Sequence, residues 1–332
     1  VRVARAVAWA GWLALGSAAL LALGCSVPGA DSMFFSSAQL SDPAAADCER
    51  CHQEVYREWR ASGHSRAWHG EAFQRASAQG RAEACTGCHA PAPVDESDPV
   101  AMRSTHLDEG VTCLSCHLST QPGVPPLTMR GPATRTSPIE IHPIVAEDPF
   151  YRSSELCGRC HELELSQWRE AKAPEGEDKR TCQQCHMPSV RRKVESVHDE
   201  HAYSAVFVAL GREQDLRRHV FDVPEDADEW IDLEVDGSGS RARVRITNRM
   251  PHTLPTGAFG KRRIRLALAW PGGSEAHVVA GGSEGPLAAG ESIEVPVRLP
   301  TGVTLDDLRV RLERWDRTGE RWATLVAHPP AG

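Results

Sequence analysis

Ten of the eleven cysteines in this 332-residue chain stand in five pairs of one spacing, all within residues 48–186. They read Cys48-Glu-Arg-Cys51-His52, Cys85-Thr-Gly-Cys88-His89, Cys113-Leu-Ser-Cys116-His117, Cys157-Gly-Arg-Cys160-His161 and Cys182-Gln-Gln-Cys185-His186. On a helix, positions i, i+3 and i+4 share one face. Two thiols there can form thioethers to the vinyl groups along one side of a porphyrin, and the histidine that follows sits under the iron as proximal ligand. A covalent tether lets a short chain hold a large apolar cofactor without burying it in a large protein core. That suits a stretch rich in Pro, Gly, Ser and charge, whose haems must supply much of the core themselves. The pattern therefore predicts five covalently attached haem c groups on these ten cysteines, with His52, His89, His117, His161 and His186 as proximal iron ligands. Zinc cages or local disulfides are the alternatives. Zinc needs no histidine after every second cysteine, two four-cysteine cages would leave the fifth pair over, and a disulfide across two residues would stabilise little.

Residues 1–24 have the make-up of an export signal. Arg2 and Arg5 precede an apolar run, Ala6–Leu23, that ends at Gly24-Cys25. Haem attachment to such motifs requires an exported compartment in bacteria, so the two inferences agree. The odd cysteine, Cys25, stands where a lipobox places its acylated residue, although Ala22 replaces the usual upstream leucine. A lipid anchor at Cys25 is the expectation; ordinary cleavage or retention as a membrane anchor are the alternatives. Residues 25–45 are small and polar, a flexible tether. The formal net charge is −8, which haem propionates would make more negative. Lysine occurs only at Lys172, Lys179, Lys193 and Lys261, and the arginines are interspersed with acids, so no nucleic-acid partner is indicated.

The expected architecture is α+β. A mainly helical, loop-rich haem domain spans 46–225, and an antiparallel Ig-like β-sandwich follows over 226–332. A helix is predicted over 46–70, carrying the first motif, with short helices near 65–80, 153–170 and 200–218 and loops over 91–100 and 119–140. In the C-terminal part, Leu233-Glu-Val235, Val244-Arg-Ile246, Ile264-Arg-Leu266-Ala-Leu268, Ile293-Glu-Val295-Pro-Val297 and Val310-Arg-Leu312 alternate apolar and polar residues. Turns at Asp236-Gly237, Gly272-Gly273 and Gly281-Gly282 would divide about seven strands.

Beyond the proximal set stand ten further histidines. If every iron carries two imidazoles, five of these are spent as distal ligands. The best placed, in loops before or after motifs, are His64, His106, His142, His201 and His252. His69, His219, His277 and His328 have no better claim than solvated loop histidines. Met102, Met129, Met187 and Met250 are conceivable ligands that packing explains as well.

Several of these segments resemble multihaem c-type cytochromes related to the tetrahaem electron acceptor of hydroxylamine oxidoreductase and, more distantly, to hydroxylamine oxidoreductase and pentahaem nitrite reductase. Trp59-x-x-Ser62-x-His64-x-x-Ala67 is similar to the family segment after the first motif, and Gly110-Val-Thr-Cys113 to the lead-in to its third. His142 ahead of the fourth motif, Trp168, Thr181-Cys182-Gln-Gln-Cys185-His186-Met187-Pro188 and His201-Ala-Tyr203 complete a resemblance over about residues 46–210. Val244-Arg-Ile-Thr-Asn248-Arg-Met-Pro-His252-Thr-Leu-Pro255-Thr-Gly257 resembles a segment of β-sandwich domains appended to such cytochromes, with Pro251 in place of the usual glycine. The resemblance implies that His252 projects from the β-domain as a distal ligand. No Cys-x-x-Cys-Lys motif and no identifiable crosslinking tyrosine occur, so enzyme activity is not implied.

The expectation is an exported cytochrome, periplasmic or held to the outer membrane as a lipoprotein. It would transfer single electrons through closely packed, mostly bis-histidine haems. Its partners would be redox proteins, either other cytochromes or a quinol-linked membrane complex. Two alternatives stand beside it: a reductase or oxidase of small nitrogen or sulfur species at one five-coordinate haem, and a structural subunit of a cytochrome assembly, including self-association.

Overall fold

In a computed structural model, the described residues are 42–78, 83–96, 99–134, 142–172, 179–196, 211–221, 229–257, 262–315 and 321–328. Cys25, His198 and His201 fall outside them, as do most of the expected helix over 200–218 and the whole export segment. No helix among the described residues is long and apolar enough to cross a membrane. The chain divides into two units. One comprises residues 1–160 and 181–222, the other residues 161–180 and 223–332.

The first unit is built from short helices. These are α1 (Ala45–Glu49), α2 (Gln53–Ala61), α3 (Glu71–Ala78), α4 (Glu83–His89), α5 (Cys113–His117), α6 (Glu155–Gly158) and, after an excursion into the other unit, α8 (Cys182–His186). Two small strand pairs join them: β1 (Met129–Arg130) parallel to β2 (Ile144–Val145), and β3 (Ser189–Arg192) antiparallel to β4 (Gln214–Arg217). The helix expected over 46–70 is broken at the first motif. His52 bridges to Ser196 and starts α2, and the chain turns after Ala61. Residues 214–217 of the expected helix over 200–218 are strand, because they pair with the segment that follows the fifth motif. Helices of five to nine residues are not stable alone, and here they draw on little apolar packing. The buried apolar side chains of this unit, such as Trp59 on α2, Phe73 on α3, Val94 and Phe150, are scattered and form no continuous core like that of the other unit.

In the second unit, α7 (Glu162–Glu170) accompanies seven described strands. One sheet has the order β11 (Arg321–His328), β10 (Arg309–Trp315), β7 (Arg263–Trp270), β8 (Gly273–Gly281); the other has β5 (Ile231–Ser238), β6 (Arg241–Asn248), β9 (Ser292–Arg298). All their pairings are antiparallel. Alternate residues point inward: Val244 and Ile246 of one sheet, and Ile264, Leu266, Leu268, Val310 and Leu312 of the other, are essentially buried in one continuous core. The expected turn at Asp236-Gly237 lies three residues early, since the strands pair as far as Ser238 with Arg241 and the turn is Gly239-Ser240. Gly237 is still paired, with Ala242, and a Cβ there would stand 2.2 Å from the Arg241 carbonyl oxygen. The unit also takes in residues 161–180, which a continuous 46–225 domain would have kept with the haem motifs. Thr253 donates to Gln167 of α7 through both its N–H (3.1 Å) and its hydroxyl (3.3 Å), and Arg180 pairs with Glu229 at 2.7 Å and lies over the Trp230 ring.

Asn248 closes the core below the His252 turn. It is fully buried, its amide donates to the carbonyls of His252, Leu287 and Ala288 at 3.0 to 3.1 Å, and its oxygen accepts the Met250 N–H. Asn248→Ala is expected to destabilise this unit by about 3 kcal/mol, because several buried groups lose their partners together. Asn248→Asp should cost at least as much, since its oxygens face three carbonyls. Denaturant midpoints followed by tryptophan fluorescence check both.

Candidate functional site

The five motifs are presented in two ways. In α4, α5 and α8 the cysteines and histidine share a single helix. The first and fourth motifs straddle a junction instead: Cys48 lies in α1 and Cys157 in α6, whereas His52 and His161 are the N-caps of α2 and α7. Local sequence fixes the short helices. Thr112 caps α5 by exchanging hydrogen bonds with Ser115, whose hydroxyl also reaches the Pro91 carbonyl at 2.8 Å. Thr181 caps α8 reciprocally with Gln184. Close backbone approach sets two glycines. A Cβ on Gly87, inside the second motif, would meet the Val100 carbonyl oxygen at 2.4 Å. Gly110, at φ +66°, lies against the His64 carbonyl oxygen, which a Cβ would approach to 2.3 Å. The segment carrying His64 thus packs directly on the lead-in to the third motif, where Val111 N–H also donates to the His64 carbonyl.

No disulfide joins any of the ten motif cysteines. Among the described residues, no three His, Cys, Asp or Glu side chains converge as a zinc cage requires. Thiols of different motifs lie side by side: Cys48 beside Cys113, Cys88 beside Cys160, and Cys157 beside Cys182. Cys116 lies close enough to act electrostatically on both Cys157 and Cys160. The neighbouring Cys157 thiol holds the Cys182 thiol below its ordinary pKa, while burial drives Cys116 up to about 11.

The histidines carry the second half of the site. Nδ1 of His52 lies 3.1 Å from the Val194 carbonyl oxygen, Nδ1 of His89 2.6 Å from that of Ala67, and Nδ1 of His117 2.7 Å from that of Arg130. A proton on Nδ1 given to a carbonyl leaves the Nε2 lone pair for a metal, the tautomer an iron ligand needs. Burial lowers the pKa of His117, and that of His142 to about 4, which keeps both neutral. Unbridged thiols at helical spacing and imidazoles oriented through Nδ1 fit covalent haem.

Of the expected distal ligands, His142 has its ring centroid 6.4 Å from that of His52 and turns Nδ1 to the Pro143 carbonyl. The His64 ring packs against Phe221, with centroids 4.2 Å apart. His252 sits half-buried on the turn held by Asn248, its Nδ1 toward the Thr253 carbonyl. His106 lies at the surface in a left-handed conformation and faces Asp42 with its Nε2. His219, expected to be solvated, is half-buried; desolvation takes its pKa down to about 3, and its ring centroid is 6.1 Å from that of His117. No local signal announces it, because Arg217-Arg218-His219 reads as a basic surface run. Glu58 takes up that charge: against the effect of burial, Arg192 at 2.8 Å, the His219 N–H and Arg218 at 2.9 Å hold its pKa down to about 2.

Residues 47–118 match the family model of cytochrome c554 and c-prime, and residues 99–187 match that of cytochrome c7 and related cytochrome c. A penta-heme cytochrome c552 from Thermochromatium tepidum shares the fold, at 19% identity and a TM-score of 0.50, over 84% of this chain and 91% of that one. A likeness to the archaellum periplasmic stator protein FlaG from Sulfolobus acidocaldarius covers 27% of this chain and 94% of that one, at 11% identity and a TM-score of 0.19, and carries no argument. A comparison with curated proteins gave no match.

Proposed function

We infer that this multihaem c-type cytochrome binds five haems and passes single electrons along them between redox partner proteins outside the cytoplasm. Haem, when bound, supplies a one-electron iron couple whose potential the axial ligands and surroundings tune. The chain's part is attachment, orientation and spacing. Five cysteine pairs would fix the porphyrins, and His52, His89, His117, His161 and His186 would stand beneath the irons. His142, facing His52, is the best-supported distal partner for the first. Two imidazoles on opposite sides of one metal, each nitrogen about 2 Å from it, set their ring centroids about 6 to 6.5 Å apart.

The observation that carries the electron-transfer reading is the contact between motifs. Thiol contacts join the first motif to the third, the second to the fourth and the fourth to the fifth, and Cys116 brings the third beside the fourth. Attachment points that touch imply neighbouring haem edges in one connected series, which suits conduction better than a single reaction centre.

Expression with the cytochrome c maturation system should give five haems by pyridine haemochrome and by intact mass. A mass consistent with zinc and no haem overturns the reading. EPR spectra that stay low-spin on addition of nitrite, hydroxylamine or NO fit a conduit; a high-spin signal altered by one of them moves the function to an open iron. The proposed partners are other cytochromes or a quinol-linked complex, met in the periplasm or at the outer membrane through an anchor at Cys25.

A further inference from the structure

We propose that His219 is the sixth ligand of the iron held by Cys113, Cys116 and His117. This rests on the multihaem reading and assigns a ligand that the sequence had set aside. The ring centroids of His117 and His219 stand 6.1 Å apart, close to the 6.4 Å between His52 and His142. Both rings of the pair are oriented through Nδ1. Nδ1 of His117 lies 2.7 Å from the Arg130 carbonyl oxygen, and Nδ1 of His219 lies 3.1 Å from that of Arg217. Each therefore keeps its Nε2 lone pair for a metal.

The position of His219 is fixed by more than its ring. Its backbone N–H donates to Glu58 Oε2 at 2.9 Å. That carboxylate is gripped by both terminal nitrogens of Arg192, each at 2.8 Å, and by Arg218 Nε at 2.9 Å. Arg192 and Arg217 end the β3–β4 pair, which begins directly after the fifth motif, and Arg218 N–H donates to the Pro188 carbonyl. So the β3–β4 pair that follows the last haem motif is pinned to α2, and its end delivers His219 to the third. Phe221 meets His219 edge-on at 5.8 Å.

The rival ligands near the third motif are otherwise engaged. His106, the nearest histidine before it in sequence, faces Asp42 with Nε2. Tyr151 stacks on the face of His117 with centroids 5.2 Å apart and donates its hydroxyl to the Cys116 carbonyl, so it walls the imidazole rather than caps the iron.

The test uses the full, haem-loaded chain. His219→Ala should keep the parent's haem number by intact mass, since attachment runs through the cysteines. It should convert one low-spin ferric haem to high-spin by EPR, and added imidazole should restore it. His219→Met should keep that iron six-coordinate and raise the midpoint potential of one haem; His106→Ala should change neither spectrum nor potentials. A full haem complement in His219→Ala with unchanged low-spin EPR overturns the assignment and leaves the multihaem reading intact. If His219→Ala is not recovered folded, His219→Met decides: one shifted midpoint supports the assignment, and none refutes it. A parent protein lacking haem on Cys113 and Cys116 by peptide mass would instead defeat the underlying reading.

Discussion

Replacing Cys113 and Cys116 together by alanine yields a protein with one haem fewer than the parent, and its first unit opens to protease while the β-sheets persist. The expectation follows from how little else holds the centre of that unit. α5 is only the motif itself, five residues long, and its capping box contributes about 1 kcal/mol against a helix that would not form alone. Around it meet Cys48, the Thr112–Ser115 cap, Tyr151 and the lead-in glycine Gly110. The scattered apolar side chains of the unit cannot replace a buried porphyrin. Limited proteolysis followed by mass spectrometry reads both effects in one sample, as one lost haem mass and new cuts near residues 105–135. Full haem content, or haem loss with no change in protease pattern, contradicts the view that the cofactors are the core of this unit. Removing the pair Cys182 and Cys185 should act more locally, because Gln183 of α8 still donates to the carbonyls of Tyr151 and Ser153.

The two units were legible in the sequence to different degrees, and the reason is where each gets its order. The β-sheets obey a local code. Val244, Ile246, Ile264, Leu266 and Leu268 alternate because one face must be dry, so strands and core could be read together. β8 was harder, since it lies at a sheet edge and most of its side chains face solvent. In the haem unit the spacing of the motifs shows attachment chemistry, but it does not show where a helix stops. The first and fourth motifs break between cysteine and histidine, and there the backbone angles of His52 and His161 depart from helical. Nothing in Cys-x-x-Cys-His distinguishes these from the other three.

The surroundings of the individual histidines were the least legible. Nearness in sequence to a motif favoured His106, yet its neighbour across the fold is Asp42, sixty-four residues away. His219 looked solvated because two arginines precede it, and only the pairing of β3 with β4 and the carboxylate of Glu58 turn that run back onto the unit. Long-range charge pairing of this kind leaves no periodic trace. The excursion of residues 161–180 is similar: Gln167 and Arg180 read as surface residues until Thr253 and Glu229 are brought to them.

Arg130→Met is expected to cost about 3 to 5 kcal/mol, the range for removing one partner of a buried ion pair. Arg130 is 4% exposed and Asp148 7%. Its Nε lies 2.7 Å from the Asp148 carboxylate, and its terminal nitrogens reach toward Asp95 at 3.8 Å and Glu96 at 3.3 Å. Methionine fills much of the volume but leaves Asp148 charged and buried, with the Phe150 N–H as its remaining donor. The double variant Arg130→Met, Asp148→Asn should recover a large part of the loss, because the stranded charge goes with its partner. Denaturant midpoints of the single and double variants read that recovery. The His117 imidazole gives a second measurement, since its Nδ1 faces the main-chain carbonyl of Arg130 rather than its side chain. If β1 stays paired with β2 in Arg130→Met, the third haem keeps the parent's spectrum while the unit loses stability. A spectral change confined to that haem would mean instead that the ion pair holds the carbonyl in place, making Arg130 a positioning residue for the proximal ligand.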